Sequence, residues 1–179
     1  MANKMIPSPA LTYPIDLSDS THAGTVFEII ADAETTLRLA KWADVRSVPS
    51  FRAQVTIKRL SDIRFSFEAE IEADVEQVCV VTLEPMVTHL ALSVRRELQY
   101  SDMPEQNHGE LTLAAGDDDA PDTIDTLHYD IAAPLLEEFL LNIDPYPRKD
   151  GAFFDAINPE DAPISPFSVL KSWKKNDER

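Results

Sequence analysis

The sequence is poor in the residues that build most catalytic and ligand-binding motifs. It has one cysteine and four glycines in 179 residues. A single cysteine excludes an intrachain disulfide and is typical of a protein from a reducing compartment. No glycine stands in a GxxxxGK[ST] or GxGxxG pattern, so a loop that cradles phosphate is not expected. Cys79 and the four histidines are scattered without metal-ligand spacing, so we expect no metal site and no cofactor.

Long apolar runs are also missing. No stretch of 18 apolar residues occurs that could cross a membrane, and the first 17 residues lack the apolar core of a signal peptide. We therefore expect a cytoplasmic protein without a membrane partner. The length predicts a single domain over residues 1–179.

Basic residues are half as common as acidic ones, 16 against 32, and the net charge is −16. This charge opposes phosphate-driven binding of nucleic acid by the molecule as a whole. The charge is unevenly spread, however. Residues 102–138 hold eleven acids and no base, whereas residues 38–64 hold seven bases against two acids. The pattern is compatible with a basic face opposite an acidic lobe.

Alternation of apolar and polar residues dominates from residue 48 to residue 73. One face would carry Phe51, Ala53, Val55 and Ile57, and the other face is polar. Ser61-Asp62 predicts a turn, so this segment should form a long hairpin. Further strands are predicted at Thr25–Ile30, Val78–Leu83, which ends at a corner around Pro85, and Thr88–Tyr100. Helices are predicted at Asp32–Ala43, Asp130–Leu141 and Phe167–Trp173, with Asp32 and Asp130 as caps.

These elements predict an α+β fold, an antiparallel β-meander or partly open barrel with two to three peripheral helices. An acidic loop or linker is expected at residues 101–122 and a proline-rich tail at residues 144–179. Strand alternation places basic side chains on the solvated face of the meander. The predicted RNA-binding residues are Arg52, Lys58, Arg95 and Arg96. Because Arg95 and Arg96 are adjacent on a strand, one of them should point to the other face.

The sequence gives little indication of a group of residues that could catalyse a reaction. A nucleophile pair from Cys79 and His89 is conceivable on adjacent strands, but Cys79 lies in an apolar run, where cysteine is usually inert core. The neighbouring acids Glu137 and Glu138 point in different directions on a helix. We therefore expect no catalytic residues and no enzymatic activity.

Two separated patterns and the chain's last segment resemble one bacterial family. Residues 79–85, CVVTLEP, are similar to the Cys-x-Arg-Cys-Leu-x-Pro signature of the YceD family, the large ribosomal RNA subunit accumulation proteins. Residues 137–147, EEFLLNIDPYP, resemble that family's acidic helix followed by Leu-x-Leu-Pro-x-x-Pro, and residues 165–171, SPFSVLK, resemble its Asn-Pro-Phe-x-x-Leu ending. The resemblance spans about residues 51–174. The motif positions matched are Cys79, Leu83, Pro85, Pro145 and Pro147.

The signature's arginine and second cysteine are replaced by Val81 and Thr82. A thiol-pair or metal role therefore does not transfer, and the matched residues suit a structural corner better than an active site. The resemblance implies a link to the synthesis, processing or accumulation of 23S ribosomal RNA.

Three hypotheses of different classes follow. The first is a non-enzymatic ribosome-biogenesis factor that contacts large-subunit ribosomal RNA or its precursor. The second is an acidic module whose residues Asp117, Asp118 and Asp119 hold a basic ribosomal protein or an assembly factor. The third is a small hydrolase, for which the sequence offers no constellation. Salt sensitivity of binding separates the first two from the third.

Overall fold

The computed structural model describes residues 9–102 and 120–153. Two α-helices and seven strands are found in this part of the chain. In chain order they are β1 (Pro14–Asp16), β2 (Thr25–Ile30), α1 (Ala33–Trp42), β3 (Ser47–Arg59), β4 (Arg64–Val78), β5 (Pro85–Tyr100), β6 (Asp122–Ile124), β7 (His128–Asp130) and α2 (Ala132–Leu141). The predicted helix at Phe167–Trp173 lies outside the described residues.

The strands β2 to β5 form an antiparallel meander, and β6 joins its far edge in parallel, in the order β2-β3-β4-β5-β6. The strands β1 and β7 pair with each other and form a separate, two-stranded antiparallel sheet. The large sheet is open, since β2 and β6 lie at opposite edges. The predicted α+β class with an open, mostly antiparallel sheet is therefore confirmed.

The core lies on one face of the large sheet. Odd-numbered residues are buried there from residue 51 to 57 in β3 and from residue 65 to 75 in β4, because successive side chains of a strand point to opposite faces. α1 packs on β3 through Leu39 and Ala40, and α2 packs across β4 and β5. The ring of Phe139 meets that of Phe51 edge to face, with centroids 5.4 Å apart. The even-numbered side chains of the same strands form the opposite, solvated face.

Of the two predicted caps, Asp32 is the N-cap of α1, whereas the N-cap of α2 is Ile131 and Asp130 lies one residue before it. The Asp32 side chain accepts the N–H of Thr35 at 2.8 Å, which satisfies one of the free donors of α1. Asp130 accepts the N–H groups of Tyr13 and Ala132, at 2.7 and 3.0 Å, and so joins the start of α2 to the segment before β1. Pro134 lies in the first turn of α2, where its missing N–H is tolerated.

The predicted strand at Val78–Leu83 is wrong. β4 ends at Val78, and residues 79–84 form the turn that leads into β5. Within this turn Cys79 donates its N–H to Glu84 and Leu83 donates to Cys79, both at 2.9 Å. Leu83 takes a left-handed conformation, with φ of 58°. An apolar run of six residues is compatible with a strand and also with a tight turn. In this structure the hydrogen bonds of Cys79 with Glu84 and Leu83 close the segment into a turn. Pro85 begins β5, where a missing donor costs little.

Candidate functional site

The solvated face of the large sheet carries a row of carboxylates along its central strand. β4 presents an acid at each of five successive even positions, which we call the acidic row: Glu68, Glu70, Glu72, Asp74 and Glu76. Side chains two residues apart on a strand are about 7 Å from each other. Within the described part of the chain both helices pack on the opposite face, so the acidic row is open to solvent.

Basic side chains flank the acidic row on both sides, and each is paired with it. Arg52 contacts Glu72 through two nitrogens, one of them Nε at 2.7 Å. The Lys58 Nζ lies 3.8 Å from Glu68, and the Arg95 Nε lies 3.7 Å from the same carboxylate. Three of the predicted RNA-binding residues therefore share the solvated face, as predicted. Their charges are opposed there by the acidic row.

Carboxylates outnumber basic groups on this face. Seven acids and five bases lie on it or at its rim: Glu28, Glu68, Glu70, Glu72, Asp74, Glu76 and Glu97, with Arg46, Arg52, Lys58, Arg64 and Arg95. Exposed ion pairs of this kind contribute little stability individually, but they cancel each other's field at short range. A face dominated by carboxylates repels phosphate.

Two of the acids have no cationic partner among the described residues. Glu28 on β2 and Glu70 on β4 stand on either side of Gln54, and Ser93 follows on β5 in the same cross-strand row. Shallow depressions beside Glu70 are lined by Gln54, Glu68, Ser93 and Arg95 on one side and by Glu28, Arg52 and Glu72 on the other. Both arginines are already paired, with Glu68 and Glu72. This row is therefore the part of the face with the least compensated negative charge.

Arg96 is the member of the adjacent pair Arg95 and Arg96 that points to the other face, as alternation predicts, so its grouping with the other three RNA-binding candidates on one face is wrong. It lies opposite Phe67 in the β4–β5 register and therefore points to the core side. There its guanidinium binds Glu137 of α2 at 2.6 Å and approaches Asp122 of β6 at 3.6 Å. Burial tends to lower the pKa of Arg96, but these two carboxylates raise it above its usual value. Arg96 is a link between sheet and helix.

His89 and Cys79 do not meet. His89 lies on the solvated face, where its Nδ1 is 2.8 Å from Asp74. That contact, together with the Ser50 hydroxyl at 2.7 Å, lowers the pKa of Asp74. Cys79 is fully buried in the turn after β4. No nucleophile–base pair forms between them.

The turn at residues 79–84 instead meets the loop that follows α2. The Cys79 sulfur accepts the N–H groups of Thr82 at 3.5 Å and of Lys149 at 3.4 Å. Val80 donates to the carbonyl of Pro147 at 2.9 Å, and the Lys149 ammonium binds Glu84 at 2.7 Å. Hydrogen bonds from Thr82, and then from Lys149, lower the pKa of Cys79 to about 6 against the opposing effect of burial.

The two separated motifs therefore form one structural unit. Pro85 begins β5, Pro147 is buried beside the turn, and Pro145 is exposed in the loop. Within the described residues no group of histidine, cysteine and carboxylate side chains is placed to hold a metal ion. Sequence reasoning did not predict the contact between the motifs, because nothing local to either segment encodes it.

The acidic row was also missed, although the sequence contains its signal. Acids at every second position from residue 68 to residue 76 mark one face of a strand once the strand is recognised. Asp117, Asp118 and Asp119 lie outside the described residues, so their binding of a partner stays a prediction.

Comparisons with known proteins identify the family of this chain. In the described part of the chain, neither helix is long and apolar enough to cross a membrane. Neither the curated proteins nor the solved structures gave a match. A family model described as large ribosomal RNA subunit accumulation protein YceD matches residues 67–172, which include β4 from Phe67 onward, the turn, β5 and α2. The chain therefore belongs to the YceD family, whose description connects it to the RNA of the large ribosomal subunit.

Proposed function

We propose that this protein is a non-enzymatic, cytoplasmic factor needed for the accumulation of 23S ribosomal RNA. We propose further that it acts through a basic protein, such as a ribosomal protein or an assembly factor, held on the solvated face of the sheet. The family supports the first statement. The observation that supports the second is the acidic row on β4, together with Glu28 on β2. Glu28 and Glu70 lie in one cross-strand row, and neither has a cationic partner in the described part of the chain.

The charge of the face favours a basic protein over a phosphate backbone. For RNA to bind here, its phosphates would have to approach Arg52, Lys58 and Arg95 while a carboxylate lies within 4 Å of each of them. These carboxylates would repel the phosphates. A basic protein meets the opposite situation, because its lysines and arginines find Glu28 and Glu70 without displacing anything.

A strain that lacks the gene tests the role in ribosomal RNA. We expect precursor and mature 23S RNA to fall relative to 16S RNA, and the full-length gene to restore them. A 23S level that does not change in the deletion strain would overturn the proposed function.

Matched charge variants test the surface. Glu70→Lys reverses a charge within the acidic row, and Asp125→Lys makes the same change at an exposed position between β6 and β7. We expect the first variant to fail in restoring 23S RNA and the second to succeed. Equal restoration by both would contradict a role for the acidic row.

Ultraviolet crosslinking in growing cells separates the two modes of action. With a protein intermediary, RNA attached to this protein should stay near background. Abundant 23S crosslinks that disappear when Arg52 and Lys58 are both changed to Glu would instead establish direct RNA contact by the same face.

A further inference from the structure

The outer edge of β2 is an unpaired strand edge. β2 is the terminal strand of the large sheet, and its partner β3 covers one side. The Ala31 N–H donates to the Phe51 carbonyl at 3.0 Å, and residues 31 and 51 oppose each other in this register. Because bonded pairs alternate in an antiparallel ladder, the backbone groups of Val26, Glu28 and Ile30 point away from β3.

The structure shows no described residue bonded to these outward groups. The same three side chains lie on the solvated face, where Val26 is 57% exposed and Ile30 is 70% exposed. Proteins usually protect such an edge with lysine, proline, a bulge or a covering segment. β2 has none of the first three, and Glu28 is its single charged residue. An exposed apolar edge with free donors and acceptors is a template for another strand.

The negative charge beside this edge favours a basic partner strand. Glu28 and Glu70 lie in one cross-strand row with Gln54 between them, and neither has a cationic partner among the described residues. A second copy would bring another Glu28 to the same edge and add a second molecule of net charge −16. Like charges on neighbouring strands are unfavourable. A segment that alternates apolar and basic residues would place apolar side chains beside Val26 and Ile30 and a cation beside Glu28.

We propose that the edge of β2 binds an extended basic segment of a partner protein as an additional strand of the sheet. The segment's backbone pairs with Val26, Glu28 and Ile30, and a basic side chain of the segment faces Glu28, which lies on the neighbouring strand. This inference rests on the proposed function, since it names how the basic partner is held.

The test uses the full chain and a defined probe, an end-capped peptide of alternating valine and lysine about as long as β2. Amide hydrogen exchange followed by NMR should slow at Val26, Glu28 and Ile30. The expected slowing is about tenfold when the peptide concentration is about ten times its Kd. The control peptide has the same side chains and charge, but every backbone nitrogen is methylated. We expect its affinity to fall about tenfold or more, because it cannot donate to the strand edge.

Two protein variants test whether the outer edge of β2 is the binding site. Val26→Pro removes an N–H that points away from β3. Val26→Ala also removes most of the valine side chain but keeps that N–H. Binding should be lost in the first variant and largely kept in the second, with thermal unfolding as the check of the fold. If Val26→Pro does not fold, the methylated peptide still decides the question.

Equal binding of the two peptides would overturn the proposal, because charge alone would then explain the association. Protection of the same amides that grows with protein concentration and needs no peptide would also overturn it, in favour of a second copy. These outcomes leave the proposed function standing, since that function is decided by the 23S level in the deletion strain.

Discussion

Cys79 is a residue whose role depends on contacts that are remote in sequence. Its place in an apolar run predicts core, and the side chain is indeed buried. Its sulfur, however, accepts backbone N–H groups from its own turn and from Lys149, 70 residues later. Such bonds favour the thiolate over the thiol, which a buried cysteine in apolar surroundings would not show. Local sequence cannot predict this, because the loop after α2 supplies half of the environment.

We expect the Cys79 thiol to titrate near pH 6, as followed by the ultraviolet absorbance of the thiolate. The folded pKa is about 6 and the ordinary value is 9.0, so the folded protein binds the proton more weakly. The thiolate's stabilising effect is therefore fully present above about pH 9 and is lost as the pH falls through about 6. Thr82→Val, which removes the hydroxyl, should raise this pKa. The Cys79→Ala variant should show a flatter dependence of stability on pH. A midpoint near 9 in the wild type would contradict the prediction.

Leu83 combines a left-handed backbone with an exposed apolar side chain. Its φ is 58° and its side chain is 76% exposed, so the fold gains little from the leucine. We expect Leu83→Gly to raise the free energy of unfolding by about 0.5 kcal/mol, since the relieved strain exceeds the added entropy of the unfolded chain. Val87→Gly, at an exposed position in extended β5, should lower it by about 1 kcal/mol. Chemical denaturation measures both. A loss in Leu83→Gly as large as in Val87→Gly would mean that the leucine packs on something.

Among the elements, those with long, regular patterns were predicted well. β2 was predicted with its observed bounds, and α1 lies within the predicted helix, because alternation and an aspartate cap are local signals. The buried residues of β3 from Phe51 to Ile57 were predicted one by one for the same reason, whereas the buried Val48, which lies within a shift of register, was not. The segment after β4 was not. Its apolar run is too short for periodicity to separate a strand from a turn, and the turn is held by the distant Pro147 carbonyl.

α2 makes an aromatic contact with the sheet. Phe139 is fully buried, and its ring packs edge to face on Phe51 of β3. We expect Phe139→Ala to lower the free energy of unfolding by about 3–5 kcal/mol, through lost burial and a residual cavity. The matched change Leu141→Ala, at a side chain that is 74% exposed on the same helix, should stay within about 0.5 kcal/mol of the wild type. Urea denaturation compares them. Equal effects would place the packed face of α2 elsewhere.

For the whole molecule, the distribution of charge matters more than the net value. Alternation correctly placed Arg52, Lys58 and Arg95 on the solvated face. The carboxylates of β4 with which they pair make the charge of that face negative, although a positive charge was expected. Cross-strand register determines those pairs, and register is a property of the folded sheet rather than of any one strand. The sequence therefore predicts which residues share a face, but not how their charges combine.

Glu70 tests whether the acidic row is kept at a cost to stability. It lies between Glu68 and Glu72 on the same face and has no cationic partner among the described residues, so its neighbours repel it. We expect Glu70→Gln to raise the free energy of unfolding by about 0.5 kcal/mol at low salt, and the gain to disappear near 1 M salt, where screening acts within about 3 Å. Glu72→Gln is the matched control, because it loses the pair with Arg52 and should bring no such gain. A destabilised Glu70→Gln would mean that Glu70 has a favourable contact in the folded protein. A stabilised variant that no longer restores 23S RNA would connect the repulsion to function, because a charge that weakens the fold is then needed for binding a partner.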